Sequence, residues 1–454
     1  MSDLTRTLPA AVAEEFAVEQ LRDCIGLVLE AARARGADAV EAGLHIESGL
    51  SVNVRLGEVD TLEYHRDKGL GVTVYHGTRK GSASTTDLSE RALRETVQAA
   101  CDIARYTAED PCNGLAPAER MAREAPELDL YHPWEISNEE AIEQARATEA
   151  EALEFDPRIT NSEGASLNSH SGLRLYGNSH GFLGGYASSR HSLNAAVIAE
   201  DASGMQRDYW YTVARDPRAL ESPATVGRTA AERALARLGA SSMPTGPQPV
   251  IFEAGVARGL IGHFLRAING NALYRRSSFL VDSLGESLFP DWMRIDERPH
   301  LRGALGSAPF DSEGVATAPR DIVRAGVLQG YVLDSYAACR LGMETTGNAG
   351  GTHNVFVTHQ DMDRAALLRE MGSGILVTDL MGQGVNNVTG DYSRGAAGFR
   401  VENGAITAPV EEITIAGNLR DMFAGIRNIA NDLDTRGNIV TGSILVDGMT
   451  VAGD

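Results

Sequence analysis

The chain has 454 residues, 43% hydrophobic and 23% charged, and its 62 acidic side chains against 41 basic ones give a net charge of −21. Such a length exceeds one compact core, so two domains are the default. The acidic balance repels phosphate backbones and argues against general nucleic-acid binding, and no run approaches the roughly 18 apolar residues that span a membrane. The N-terminus, MSDLTRTLPAAVAEEF, carries acids and no long apolar core, so it is not read as a secretory signal. Four cysteines (Cys24, Cys101, Cys112 and Cys339) lie far apart with no CxxC pair. That spacing suits reduced, buried thiols in a cytoplasmic protein better than a disulfide framework.

In chain order, Val18 to Arg35 carries Leu21, Ile25, Val28, Leu29 and Ala32 at helical spacing and ends before Gly36. AVEAGLHIES, LSVNVRLGEVDTLEYHRDKG and LGVTVYHGTRKGSAST alternate with a period of two, and their glycines punctuate them into short antiparallel strands. Ser89 to Tyr106 is helical, with Asp87 or Ser89 as cap. Residues 109–136 are rich in proline and turn formers and form an extended excursion. Glu139 to Leu153 is a further helix, strands resume from Ile159 to Glu200, and Pro223 to Leu238 is helical with proline in its first turn. SSMPTGPQP, Ser241 to Pro249, holds three prolines in nine residues and reads as the linker between domains 1–240 and 250–454. Beyond it a strand feeds a helix in VIFEAGVARGLIGHFLRAING. Short strands with glycine turns follow, interrupted by helices at Asp363 to Met371 and Asp421 to Ala430. The alternation lacks regular βαβ repeats, so the fold class is α+β, largely antiparallel in both halves.

None of the chemistry-bearing patterns is strong. The eleven histidines form no HExxH or HExxxH. His170, His180 and His191 recur at intervals of ten and eleven, which leaves a metal cluster and ordinary sheet positions both open. His353 lies in the glycine-rich GNAGGTHN, whose backbone NH groups could hold a ligand. Gly177-Asn178-Ser179-His180-Gly181 matches G-x-S-x-G, but sheet and not helix follows the serine, so its glycines read as hairpin residues. No phosphate loop is present. Arg275 with Arg276, Glu411 with Glu412, and Asp432 with Asp434 read as solvated charges.

Longer stretches say more. GLGVTVYHGTRKGSASTTDLS, DIARYTAEDPCNGLA and RITNSEGASLNSHSGLRLYGNSHGF in the first half resemble the TldD/PmbA family, in its PmbA (TldE) branch, as do PFDSEGV, GGTHN, LMGQGVN, TGDYSRGAAGFRVENG and ITIAGNL in the second. The catalytic TldD branch resembles a zinc peptidase with HExxxH on a helix opening its second domain and a late cysteine completing the site. Anchored on Gly262-His263, the first histidine and the glutamate of that motif fall at Arg258 and Gly259, the second histidine at His263, and the cysteine near Thr441. Two of three ligands and the base are therefore missing. The resemblance implies a non-catalytic subunit that carries no cofactor or catalytic residue itself and pairs with a TldD-like, zinc-bearing partner in a heterodimer, or with itself when alone. Its implied substrates are small or unfolded polypeptides, such as a leader peptide or an antitoxin. An extended peptide is held by strand addition, and Gly350, Gly351, His353 and Asn354 of GGTHN with Met381, Gly382, Gln383 and Gly384 of LMGQGVN are the candidate contacts. Two other readings remain: a metalloprotease in its own right through an unconventional site, and a stand-alone peptide-binding regulator.

Overall fold

Alternating apolar residues build the first half around one antiparallel sheet. The computed structural model describes residues 2–453, with 26% helix and 39% strand. The expected short segments fuse into the long strands Ala39–Arg55 and Glu58–His76, followed by Arg79–Thr85. A second long hairpin, Ile159–Asn178 and Phe182–Asp201, pairs through its first strand with Ala39–Arg55, and Gly204–Ala214 extends the far edge. Ser2–Asp3 joins that edge in parallel at Phe182 and Leu183. Two of the glycines read as strand breaks are needed for room. A Cβ on Gly49 would lie 2.4 Å from a His65 ring carbon and 2.5 Å from His170 Nδ1, and one on Gly69 would lie 2.7 Å from the His45 ring. Glycine there lets a neighbouring ring lean across the strand, and pairing continues unbroken.

Strands this long carry two cores side by side. Val40, Ala42 and Leu44 pack under helices Val18–Ala34 and Glu90–Tyr106. Leu50, Val52 and Val54, further along the same face, pack under Asn138–Leu153 and Pro223–Ala236. These helices start where the sequence places them. Ser89 Oγ accepts from Ala92 N, and Ser137 with Glu140 closes a capping box. Among the described residues no helix is long and apolar enough to cross a membrane.

The second half departs from a purely antiparallel plan. Gly246–Phe252, Gly374–Met381, Asp391–Glu402, Ala405–Asn418 and Ile444–Ala452 close into a five-stranded barrel in which Gly246–Phe252 and Gly374–Met381 run parallel. Gly246 to Pro249, read as linker, form part of this barrel, with Pro247 opposite Thr450 and Gln248 opposite Met449. Val355–Val357 and Ile439–Val440 make another parallel pair in a small five-stranded sheet. Helix Ala254–Ala267 buries Phe264 against Phe289 at 4.9 Å and Phe423 at 5.8 Å between ring centroids. The helix expected from Asp421 to Ala430 is instead a short turn of helix, Leu419–Ala424, followed after Gly425 by strand Ile426–Ile429, which pairs with Ile444 to Val446. Burying Ile426 and Ile429 against a sheet outweighs local helical spacing.

The cysteine expectation needs correction. Cys112 and Cys339 form a disulfide with 5.5 Å between Cα atoms across 227 residues of sequence, while Cys24 and Cys101 are free. The bond ties the irregular 109–136 excursion to helix Ser335–Leu341, where Tyr336 Oη also donates to Asp110 at 2.7 Å. Sequence spacing could not show two segments so far apart converging.

Candidate functional site

Strand Gly246–Phe252 delivers the chain to Glu253, whose carboxylate pairs with Arg233 at 3.1 Å and Arg364 at 2.7 Å. Ser443 Oγ accepts from Ala254 N at 3.2 Å and so satisfies an orphan donor at the helix start. Gly255, Arg258 and Gly259 then face a cavity of about 250 Å³, closed on the other sides by Tyr209, Tyr211, Asp379 and Arg394. Arg258 Nη2 donates to Tyr211 Oη at 2.5 Å and Nη1 to Arg436 O at 3.3 Å, and its guanidinium stands 3.8 Å from Asp434. The Arg436 side chain donates twice to Asp434, each bond 3.0 Å, its backbone N a third time at 2.9 Å, and its guanidinium stacks 3.9 Å over Trp210. Asp434, read from the sequence as solvated, is buried. Burial pushes its carboxyl up, but Arg436 and Arg258 outweigh that and hold it below the usual range.

His263 sits on the same helix, edge-on to Tyr392 at 6.0 Å. Burial first, then Arg394 and Arg266, push its pKa down to about 4. Gly262 faces Ile439, 3.9 Å from where its Cβ would lie, so the helix packs on the segment leading to buried Thr441. The positions matching the family's metal set thus offer a guanidinium, a bare glycine, one imidazole among arginines, and a buried hydroxyl. Zinc requires deprotonated nitrogen, sulfur or carboxylate donors, so these residues do not fit a catalytic zinc. Two residues that line the cavity were not marked by the sequence reading: Thr378 and Arg394, whose Oγ1 and Nε are buried without a hydrogen-bond partner. Arg394 falls in the family-like TGDYSRGAAGFRVENG, whereas nothing in the sequence marked Thr378.

The two candidate peptide loops differ. In GGTHN, His353 N donates to Glu297 at 2.7 Å and Nε2 lies 3.2 Å from Gly347 O, leaving the residue 9% exposed. Asn354 bonds to Arg298 O, Ser307 and Gly306 N and is 2% exposed. The loop's outward surface is therefore backbone at Gly350 and Gly351, whose φ values of 97° and 118° suit glycine. Met381, Gly382, Gln383 and Gly384 are all exposed. Met381 ends the barrel strand that supplies Thr378 and the other three follow it, and Gly384 must be glycine because its Cβ would meet Ser393 O at 1.8 Å.

Strand register separates the histidines that recur in the sequence. His191 is buried on the inner face between Ser169 Oγ and His132 O, each 2.9 Å away. His180 sits in the hairpin turn, 3.2 Å from Ala116 O. Ser179, the centre of the elbow-like motif, accepts from Val40 N at 3.1 Å in that same turn. His170 alone projects from the outer face, where it meets His65, with 5.1 Å between ring centroids, and Glu47.

This architecture matches one class of protein along most of its length, a family of metallopeptidases. The model described as PmbA/TldA metallopeptidase domain 1 matches residues 40–104, the central domain residues 131–238, and the C-terminal domain residues 245–453. The chain belongs to the PmbA/TldD metallopeptidase family. It is 52% identical to metalloprotease PmbA of Escherichia coli O157:H7, over 95% of this chain and 96% of the relative. A crystal structure of a candidate modulator of DNA gyrase from Bacteroides thetaiotaomicron superposes with a TM-score of 0.90 at 29% identity, covering 95% of this chain and 99% of that one. TldE of Thermococcus kodakarensis, at 19% identity, shares the fold, with a TM-score of 0.83 over 96% of this chain and all of that one.

Proposed function

We propose that this chain is a non-catalytic PmbA-type subunit, completing a peptidase whose zinc is carried by a TldD-like relative bearing HExxxH. The observation that carries the reading is the helix Ala254–Ala267, where Arg258 and Gly259 stand in place of ligand and base and arginines surround His263. A guanidinium locked to Asp434 and Tyr211 repels a cation and has no lone pair to offer. The cavity is suited instead to peptide: it is lined by Tyr209, Tyr211 and the polar side chains of Thr378, Asp379 and Arg394. The exposed Met381–Gly384 segment prolongs a barrel strand, so an extended polypeptide can add to it by backbone hydrogen bonds. With a charge of −21, a gyrase-modulating effect of the kind named for the Bacteroides relative would act through such a polypeptide and not through DNA.

The test is cleavage of an unstructured peptide by this chain alone, by an HExxxH-bearing relative from the same cell, and by the two mixed. Activity that requires the mixture is expected, together with a heterodimer on sizing. Chelator-sensitive cleavage by this chain alone would overturn the reading. So would a relative whose activity and size ignore this chain, which would favour a stand-alone peptide binder.

A further inference from the structure

We propose that Glu47, His65 and His170 bind a divalent transition-metal ion of the zinc class on the outer face of the first-half sheet. Three adjacent strands supply the donors. Gly49, on the middle strand, lies directly opposite both His65 and His170, and the two rings lean over it from either side. Glu47 lies two residues along the same face, opposite Gly172 on one flank, so no side chain intervenes there. One donor atom from each of the three residues lies within 4.8 Å of the others. Tetrahedral zinc needs donors about 3.3 Å apart, so the two rings and the exposed Glu47 carboxylate would draw together by side-chain rotation on binding.

Two further observations point to a cation. His170 Nδ1 is inaccessible to solvent yet has no hydrogen-bond partner; its nearest anion is Glu47 Oε1 at 3.5 Å. An unsatisfied buried nitrogen costs free energy that a metal bond would recover. On the other flank Glu47 stands directly across from Asp67, and like charges in that position repel. The opposing cations are Arg190, across from His170, and Arg174, across from His45. Glu47 and His170 also border a cavity of about 560 Å³, so water can fill the remaining coordination position. The inference is independent of the subunit reading, because it concerns the first half of the chain and no catalytic step. It does depart from the expectation of a metal-free chain.

The test titrates Zn²⁺ into the full-length, chelator-stripped chain by calorimetry and follows Co²⁺ binding by its visible absorption. One ion per chain is expected, with a cobalt spectrum typical of nitrogen and oxygen ligands. H65Q and H170Q should each weaken binding more than about a hundredfold, since losing even an outer-shell group costs about 10–100-fold. E47Q, at an exposed position that does not threaten folding, should weaken it about tenfold or more, and H359Q on the second half should change nothing. Absence of saturable Zn²⁺ binding would overturn the proposal. Stoichiometric binding that survives H65Q, H170Q and E47Q would overturn it equally, by placing the ion elsewhere.

Discussion

The two halves of the chain each hold partly buried histidines among charged side chains, and the balance of those charges differs. In the second half His263 faces Arg394 and Arg266, with Arg258 locked to Asp434 nearby. In the first, His65 and His170 meet beside Glu47 and Asp67. An imidazole is a ligand only where its neighbours tolerate more positive charge. Arg258, Arg266 and Arg394 deny that condition to His263, whereas Glu47 and Asp67 beside His170 and His65 offset the charge of Arg190.

Breaking the tie between the halves should have the largest effect. Cys112–Cys339 closes a loop of 227 residues, which on the chain-entropy account contributes about 5 kcal/mol. A C112S/C339S double variant should lose stability of that order relative to the oxidised wild type in urea denaturation. No difference between the two under oxidising conditions would show that the cross-link contributes nothing in solution.

Next is the cationic cluster of the second half. D434N leaves Arg436 and the partly buried Arg258 without their shared anion, and should destabilise the chain by about 3 kcal/mol. Adding R258A to D434N should recover part of the loss, because one uncompensated charge goes with it. If the double variant is less stable than the single one by the full cost of R258A alone, the two residues are not coupled.

How much of this the sequence made legible depended on range. Helix starts at Ser89 and Ser137, the Gly177–Gly181 hairpin and the strand feeding Ala254–Ala267 were readable because caps, turns and periodicity act within a few residues. The alignment that sets Arg258, Gly259 and Thr441 at the family's metal positions came from resemblance, because spacing within this chain singles out none of them. What escaped depends on register between strands or on distant segments meeting. Gly49 reads locally as a turn residue, whereas in the fold His65 and His170 occupy the space its side chain would need. His170 was grouped with His180 and His191 by spacing, although the pleat sends His191 to the opposite face. The disulfide, the barrel closure and the burial of Asp434 likewise arise from contacts between residues remote in sequence.

The pH response of His263 gives a smaller effect with a fixed sign. Its folded pKa is about 4 against an ordinary value of 6.5, so on acidification the unfolded chain takes up the proton first. Its stabilising contribution is complete above pH 6.5 and is lost as pH falls from about 6.5 toward 4, where the folded form protonates as well. H263Q should therefore flatten the decline in urea midpoint between pH 7 and pH 5 without changing it above pH 7. Parallel pH profiles for wild type and H263Q would mean that the imidazole is solvated in solution.

The smallest effect probes the acidic face of the first half. In the metal-free chain Asp67 directly opposite Glu47 is a like-charge cross-strand pair, so D67N should raise stability by a few tenths of a kcal/mol. Salt should produce the same gain in the wild type and erase the difference, since both groups are exposed and screened. With saturating Zn²⁺ the advantage should disappear or reverse, because an ion held by Glu47, His65 and His170 turns a repelled carboxylate at position 67 into a favourable neighbour. A D67N gain that is the same with and without Zn²⁺ would separate that repulsion from metal binding and leave the histidine pair to stand on its own.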